Sequence, residues 1–189
     1  MKKVSWEVRY LCPPPVLRYC KKCGEKSEYT CSGFFRVNAQ RKSLDIWLIY
    51  KCRHCDTTWN ATVYSRIRPQ SLSRELLEKF HTNDAQTVER YAMDTEFLRK
   101  NGAEMGLPSY EIIGEELSAN SPVELRIISK YPSRVKLSAI LRERLNLSHK
   151  RFEEMINNGQ IKSGSGCDLR TCRVTHESIV RIQADSFEK

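Results

Sequence analysis

A chain of 189 residues, of which 40% are hydrophobic and 29% charged, is expected to fold as one domain or as two to three small ones. This composition excludes collagen-like and disordered proteins, and no apolar run reaches the roughly 18 residues that a membrane helix requires. Glu7 and Arg9 interrupt the apolar character of the first residues, so we expect no signal peptide and a cytoplasmic protein.

The net charge of +9 is unevenly distributed along the chain. Residues 1–70 hold 14 Lys or Arg against 5 Asp or Glu, residues 71–118 hold 5 against 10, and residues 119–189 hold 13 against 8. A basic excess favours polyanionic partners, above all nucleic acid, although a basic surface without any partner gives the same totals. We predict a domain for each segment: a zinc ribbon, a helical linker region and a C-terminal αα-plus-strands module.

Two cysteine pairs with the same internal spacing lie in the first segment. Cys20 and Cys23 enclose two lysines, and Cys52 and Cys55 enclose an arginine and a histidine. Two residues between thiols let a tight turn direct both sulfurs to one point, and two such turns supply the four thiolates of a structural zinc site. We therefore predict that these four cysteines bind Zn²⁺, although iron accepts the same ligands.

Strand-forming sequence surrounds the two pairs. Residues 34–39 and 43–52 predict a hairpin, and residues 57–67 predict a further strand. Because 28 residues separate the pairs, the hairpin of this zinc ribbon is longer than usual. A redox-active CxxC needs a helix directly after it, and neither pair is followed by a helical pattern.

Basic and aromatic side chains accompany the cysteines. Four cations lie inside the pairs: Lys21, Lys22, Arg53 and His54. They either offset the negative charge of four thiolates around a dication or contact phosphates. Four aromatic residues lie on the predicted strands: Trp47, Tyr50, Trp59 and Tyr64. These either stack on bases or fill the core of the sheet.

The remaining cysteines have no assigned role. They are Cys12, Cys31, Cys167 and Cys172. In a reducing compartment we expect them to be thiols rather than disulfides.

Two helical patterns lie in the acidic middle of the chain. Residues 71–81 place their leucines on one stripe, and residues 83–102 predict a single long helix with Asn83 at its start. A loop at 102–108 and a short helical turn at 115–116 are expected to follow. The acidic side chains here have no His or Ser partner, so we interpret them as a solvated face rather than a catalytic pair.

The last segment predicts a strand, two helices and further strands. Residues 123–132 alternate as a strand does; Ser138 is expected to cap one helix, and Ser148 a second one that ends at Gly159. Three later segments favour strands: GQIKSG, TCRVT and SIVRIQ.

Cations occupy the first turn of the second helix, at His149, Lys150 and Arg151. Each opposes the helix dipole by roughly 0.3–1 kcal/mol, and an anion bound at the free amides reverses that sign. We predict that this turn contacts phosphate; the alternative is a set of screened surface cations. Four further cations lie nearby in sequence: Lys136, Arg142, Arg144 and Lys162.

The segment from residue 136 to 162 resembles the RNA-binding motif of the small-ribosomal-subunit S-four type. These positions carry the resemblance: Lys136, Leu137, Ser138, Leu141, Ser148, Ile156, Gly159 and Ile161. His149 stands where the motif has arginine, and Ser163-Gly164 stands where it has Asn-Gly. The resemblance implies that the cationic start of the second helix contacts structured RNA.

Most of the chain resembles an uncharacterised bacterial family catalogued as domain of unknown function 1062. The resemblance lies in the two CxxC pairs and in the segments WNATVYSRI and NDAQTVERYAMDTEFLRKN. It implies a cytoplasmic bacterial protein with a zinc ribbon ahead of helices, and it brings no activity and no catalytic residues.

Taken together, the sequence predicts an α+β protein that binds structural Zn²⁺ and, without catalysing a reaction, binds nucleic acid, preferentially RNA. The alternative is a protein–protein adaptor that uses the ribbon hairpin and the acidic helix. We identify no catalytic residue and no small-molecule substrate, because four thiolates close the metal shell and leave no position for water.

Overall fold

The computed structural model describes residues 1–40, 42–107, 109–117, 121–132 and 135–183. Ten strands in two five-stranded sheets and five α-helices form this part of the chain. The fold is therefore α+β, as the sequence predicts. Within the described residues, no helix combines the length and the apolar composition needed to cross a membrane.

The chain divides into two compact units, whereas the sequence predicts three segments. We call Pro13–Leu107 the ribbon unit, and Met1–Cys12 with Pro108–Lys189 the terminal unit. The first strand, β1 (Lys2–Tyr10), pairs in parallel with a strand at Val123–Ser129, which removes it from the ribbon. The helices of the middle segment share a hydrophobic core with the ribbon sheet, so they are part of that unit rather than a linker.

The ribbon unit is built on an antiparallel sheet in the order β5-β4-β3-β2-β6. Its strands are β2 (Val16–Cys20), β3 (Glu25–Gln40), β4 (Ser43–Cys52), β5 (Thr58–Ile67) and β6 (Glu104–Met105). The predicted strands at 43–52 and 57–67 agree with β4 and β5. The strand predicted at 34–39 is only the second half of β3, and β6 lies inside the expected loop at 102–108.

Three helices and one turn of 3₁₀-helix lie between β5 and β6: Pro69–Ser71 (3₁₀), α1 (Arg74–His81), α2 (Ala85–Ala92) and α3 (Thr95–Lys100). The prediction of one helix over 83–102 is wrong. Asp94 interrupts it because its carboxylate accepts the amides of Glu96 and Phe97, and it thereby caps a new helix. Asn83 is not the cap of α2 either; Asp84 is.

One face of the ribbon sheet is buried under these helices. Along β4, alternate residues from Leu44 to Cys52 are buried, as the period of two in a strand requires. They form a core with side chains from the helices: Phe80, Val88, Ala92 and Leu98.

Residues of β2 and β5, which are not neighbours in the sheet, meet at the end of α3. Arg18 on β2 lies 4.6 Å from the ring centroid of Trp59 on β5 and donates to the carbonyl of Asn101 at 2.7 Å. The Asn101 side chain accepts the amide of Thr62 on β5 at 2.7 Å and donates to its carbonyl at 3.2 Å. The Asn101 side chain thus supplies hydrogen-bond partners for two backbone groups on the free edge of β5.

The terminal unit contains a mixed sheet in the order β7-β1-β8-β10-β9. Its further elements are β7 (Tyr110–Gly114), β8 (Val123–Ser129), α4 (Leu137–Arg144), α5 (His149–Asn157), β9 (Ile161–Ser163) and β10 (Glu177–Ile182). Trp6, Leu125 and Ile127 from the sheet share a core with residues of both helices, among them Ile140 and Phe152.

Several predictions for this unit are confirmed and others are wrong. Ser148 caps α5 by accepting the amide of Arg151, and Gly159 ends it with a φ of +69°. The cap of α4 is Lys136, without a side-chain hydrogen bond, and not Ser138. The TCRVT segment contributes only one isolated bridge, and residues 115–116 are not helical.

Cys167 and Cys172 are paired as a disulfide, with their Cα atoms 6.3 Å apart. The expectation that they are separate thiols is therefore wrong for this pair. Cys12 and Cys31 are free, as expected.

We expect Asn101→Ala to lower the free energy of unfolding by about 0.5–1.5 kcal/mol, because it removes two hydrogen bonds to backbone groups at the exposed edge of β5, which water then replaces. Asn60→Ala, on an exposed position of the same strand, is the matched control and should change it by less than about 0.5 kcal/mol. Urea denaturation measures both; equal effects of the two substitutions would contradict the role of Asn101.

Candidate metal centre

Strand order brings the two cysteine pairs to one end of the ribbon sheet. Cys20 ends β2 and Cys23 lies in the turn to β3, while Cys52 ends β4 and Cys55 lies in the turn to β5. Because β2, β3, β4 and β5 are successive antiparallel neighbours, these two turns lie at the same end. Strand pairing also connects the second turn to β3: Cys52 pairs with Tyr29, and the amide of Arg53 donates to the carbonyl of Glu28.

The four sulfur atoms of Cys20, Cys23, Cys52 and Cys55, which we call the four-cysteine cluster, lie within 4.8 Å of one another. Sγ of Cys20 is 3.5 Å from that of Cys55, and Sγ of Cys23 is 3.9 Å from that of Cys52. Four ligands at about 2.3 Å from a tetrahedral zinc place their sulfurs about 3.8 Å apart. The cluster therefore fits a tetrahedral metal ion.

Both cysteine turns are built in the same way. In each, the residue four positions after the first cysteine donates its amide to that cysteine's carbonyl: Gly24 to Cys20 at 2.8 Å, and Asp56 to Cys52 at 3.0 Å. Both residues have a positive φ, +76° for Gly24 and +57° for Asp56. Glycine adopts this conformation without strain, and aspartate is among the few other residues that tolerate it.

Hydrogen bonds to the cluster favour thiolates at two positions. The Tyr29 hydroxyl, followed by the amide of Cys23, lowers the pKa of Cys20 to about 6. The hydroxyl and the amide of Thr57 lower the pKa of Cys55; the Thr57 oxygen lies 3.1 Å from the sulfur. The neighbouring sulfur of Cys55, together with burial, raises the pKa of Cys23 to about 12. Without a cation the cluster thus retains protons that a bound metal displaces.

The basic residues of the two turns lie at the surface. Lys21, Lys22, Arg53 and His54 have exposed or half-buried side chains, and His54 is not part of the cluster. Arg53 is paired with the carboxylate of Glu28. The other three remain available to offset the charge of the thiolates or to contact an anion.

The structure separates the four aromatic residues that the sequence analysis groups together. Tyr50, Trp59 and Tyr64 belong to the core of the ribbon unit, so they fill the sheet's interior. Trp47 lies on the opposite face of the sheet, where it pairs with Arg36 across the strands.

The cations predicted to contact nucleic acid do not form one cluster. His149 and Lys150 are exposed at the start of α5, and Arg151 there is paired with Glu154 at 3.7 Å. Lys162 lies beside Gly159, at the other end of this nine-residue helix, about 13 Å away.

The cations of α4 are placed differently. Lys136 is the exposed N-cap of α4, and Arg142 is half-buried in its last turn. Arg144 donates to the carbonyl of Gly114 at 2.6 Å and lies 6.0 Å from the ring centroid of Trp6, so it has a structural role.

Two side chains of this centre, Tyr29 and Thr57, are not among the residues predicted from the sequence. Tyr29 lies in the half of β3 that was not predicted as a strand, so its alternation with the cysteines was not visible. Thr57 lies two residues after Cys55, where a hydroxyl within reach of the sulfur is a local signal that the sequence does contain.

A family model described as a protein of unknown function (DUF1062) matches residues 37–166, which is 130 of the 189 residues. The chain belongs to the DUF1062 family. The matched range includes the second cysteine pair and begins after the first. Comparisons with curated proteins and with solved structures give no significant match.

We expect purified protein to contain one metal ion per chain, and chelation to lower its unfolding temperature, because the site holds both turns of the ribbon. Cys52→Ser should abolish stoichiometric metal. Cys31→Ser, at a half-buried free thiol outside the cluster, is the matched control and should retain it. Elemental analysis and thermal unfolding measure these outcomes; full metal content in Cys52→Ser would contradict the site.

Tyr29→Phe should weaken metal affinity by roughly 10–100-fold, because it removes a hydrogen bond to the Cys20 thiolate and keeps the buried ring. Tyr64→Phe removes a hydroxyl elsewhere in the ribbon core and should leave metal affinity unchanged. Competition with a chromophoric chelator measures both affinities. Equal affinities in the wild type and in Tyr29→Phe would show that the hydroxyl does not support the site.

Proposed function

We propose that this member of the DUF1062 family is a bacterial cytoplasmic protein that binds nucleic acid, RNA in preference to DNA, and catalyses no reaction. A Zn²⁺ ion in the four-cysteine cluster would hold the ribbon in shape. Zinc is preferred over iron because it forms closed tetrahedral four-thiolate sites with a purely structural role. No open coordination position remains for a water molecule, which supports the non-enzymatic assignment.

The observation that carries the proposal is an excess of uncompensated cations on the ribbon. Residues 13–70 hold 11 Lys or Arg against 4 Asp or Glu. In the described part of the chain, carboxylates pair with Lys26, Lys51 and Arg53. Among the other described cations of this segment, Arg18 donates to the carbonyl of Asn101. The remaining six form no ion pair with a described residue: Lys21, Lys22, Arg36, Lys42, Arg66 and Arg68. Such an excess attracts the phosphate backbone of nucleic acid.

The start of α5 supports the proposal from the terminal unit. Ser148 satisfies the amide of Arg151, while the amides of His149 and Lys150 precede the first intrahelical hydrogen bond, which joins Phe152 to Ser148. A phosphate at this turn would pair with exposed cations and accept those amides. The order α4, α5, β9 also follows the order of elements in the S-four type motif, which supports RNA as the ligand.

We expect the double substitution Lys150→Glu/Arg151→Glu to weaken the binding of a structured RNA at every sequence tested and to reduce the slope of log affinity against log salt by about 2. Acidic residues at a helix start favour the helix, so the fold should be retained. Lys2→Glu/Lys3→Glu changes the charge equally on another element of the same unit and is the control. Filter binding at several salt concentrations measures the effect; equal loss in both variants would remove the site assignment.

The alternative function, a protein–protein adaptor, is favoured by one observation. Tyr19 and Phe34 in the ribbon unit are each 60% exposed. The acidic side chains proposed for the adaptor surface are partly neutralised, however, because Glu96 pairs with Lys100 within its own helix. Partner capture that survives nuclease treatment and high salt would support the adaptor and contradict nucleic-acid binding.

A further inference from the structure

We propose that the face of the ribbon sheet opposite the helices binds single-stranded RNA by stacking unpaired bases on Phe34 and Trp47. We call this surface the open face, and we define it by five side chains: Phe34, Arg36, Trp47, Ile49 and Lys51. The inference rests on the proposed function and adds to it the class of RNA and a binding site that sequence analysis did not assign.

Strand alternation defines the open face. On β4, Trp47, Ile49 and Lys51 alternate with the buried residues that contact the helices, so they point to the other side of the sheet. The register places Arg36 beside Trp47 on one side, and places Thr62 and Asn60 beside Trp47 and Ile49 on the other. The three helices of the ribbon unit add their buried side chains to the opposite face. On this face Phe34 and Arg36 are exposed, while Trp47 and Ile49 are half-buried.

A bulge in β3 holds Phe34 outward. The register shifts between Cys31 and Phe35, with Gly33 in a left-handed conformation at a φ of +80°. Ser32 fixes the bulge, because its hydroxyl donates to the carbonyl of Ile49 at 2.8 Å and accepts the amide of Phe34 at 3.3 Å.

The next residue fixes the bulge from the other face. The Phe35 amide donates to the Asn83 side chain at 2.6 Å, and the Phe35 ring lies 4.8 Å from that of Phe80 in the core. Phe34 is consequently 60% exposed on a rigid support. A large aromatic side chain held in this way is a preformed surface for stacking.

Charge complementarity identifies the occupant. The guanidinium of Arg36 lies 5.9 Å from the ring centroid of Trp47, and Arg36 has no ion-pair partner among the described residues. Asp45, the acidic residue on this face of β4, is directed to the backbone of β5, where it accepts the amide of Arg66. A face that combines the exposed ring of Phe34, the half-buried ring of Trp47 and the guanidinium of Arg36 matches a ligand with planar bases on an anionic backbone.

Single strands fit this surface better than duplexes do. Bases in a duplex stack on one another and leave no free planar surface for a protein ring, whereas unpaired bases turn outward. Stacking is tolerant of sequence, because every base has a planar face. We therefore expect preference for unpaired RNA with little sequence selectivity.

The test compares a fluorescein-labelled 20-nucleotide oligouridine with an RNA duplex of equal length, using the full zinc-loaded chain and fluorescence anisotropy. Phe34→Ala and Trp47→Leu should each weaken oligouridine binding about tenfold and leave the salt slope unchanged, because no charge is removed. Arg36→Glu should weaken binding and reduce that slope by about 1. Arg74→Glu, with the same charge change at the exposed start of α1, is the control and should stay within twofold.

The outcomes separate this inference from the proposed function. If the wild type binds neither RNA, both are overturned. A second outcome is that the wild type binds RNA, Phe34→Ala and Trp47→Leu bind it with unchanged affinity, and Lys150→Glu/Arg151→Glu binds it more weakly. In that case only the open face is overturned. Equal losses for oligouridine and duplex in Phe34→Ala would also overturn stacking. Unchanged zinc content and circular dichroism show that each variant is folded.

Discussion

Convergence of four thiols at one end of an antiparallel sheet is the constraint on which the ribbon unit depends. The turns that follow β2 and β4 place Cys20, Cys23, Cys52 and Cys55 within 4.8 Å of one another. Four thiolates this close repel one another unless a cation lies between them, and the hydrogen bonds from Tyr29 and Thr57 only partly relieve that repulsion. A metal ion would therefore connect two turns that strand pairing and the Arg53–Glu28 ion pair already bring together.

The same strands give the ribbon two different faces. The alternation that buries Leu48 and Tyr50 under the helices directs Trp47 and Ile49 to the side that the helices do not cover. A bulge adds Phe34 to that side, while Phe35 remains in the core. Rigidity supplied by the metal centre and by Asn101 at the edge of β5 would thus support a surface suited to a flexible polyanion. The second basic region, at the start of α5, belongs to the other unit.

Predictions succeed where one local pattern is sufficient. The spacing of the cysteine pairs identifies all members of the cluster, because each turn is set by four residues, and β4 is predicted with its observed bounds. The predictions fail where the structure of a segment depends on residues elsewhere in the chain. The sequence does not indicate that β1 belongs to the terminal unit, because its parallel partner lies more than a hundred residues away. The helix over 83–102 is divided because Asp94 bonds to the following amides, while Asn83 supports the bulge in β3.

The sequence by itself determines the four-cysteine ligand set, the α+β class and the basic character of the chain, because residue type, residue periodicity and charge are local or additive properties. Tertiary structure alone decides which aromatic side chains reach the surface: Tyr50, Trp59 and Tyr64 lie in the core, whereas Trp47 and Phe34 do not. It also decides that Arg144 supports Trp6 and Gly114. The reason is that the face on which a side chain lies depends on strand register, bulges and helix packing, which residues far apart in the chain establish together.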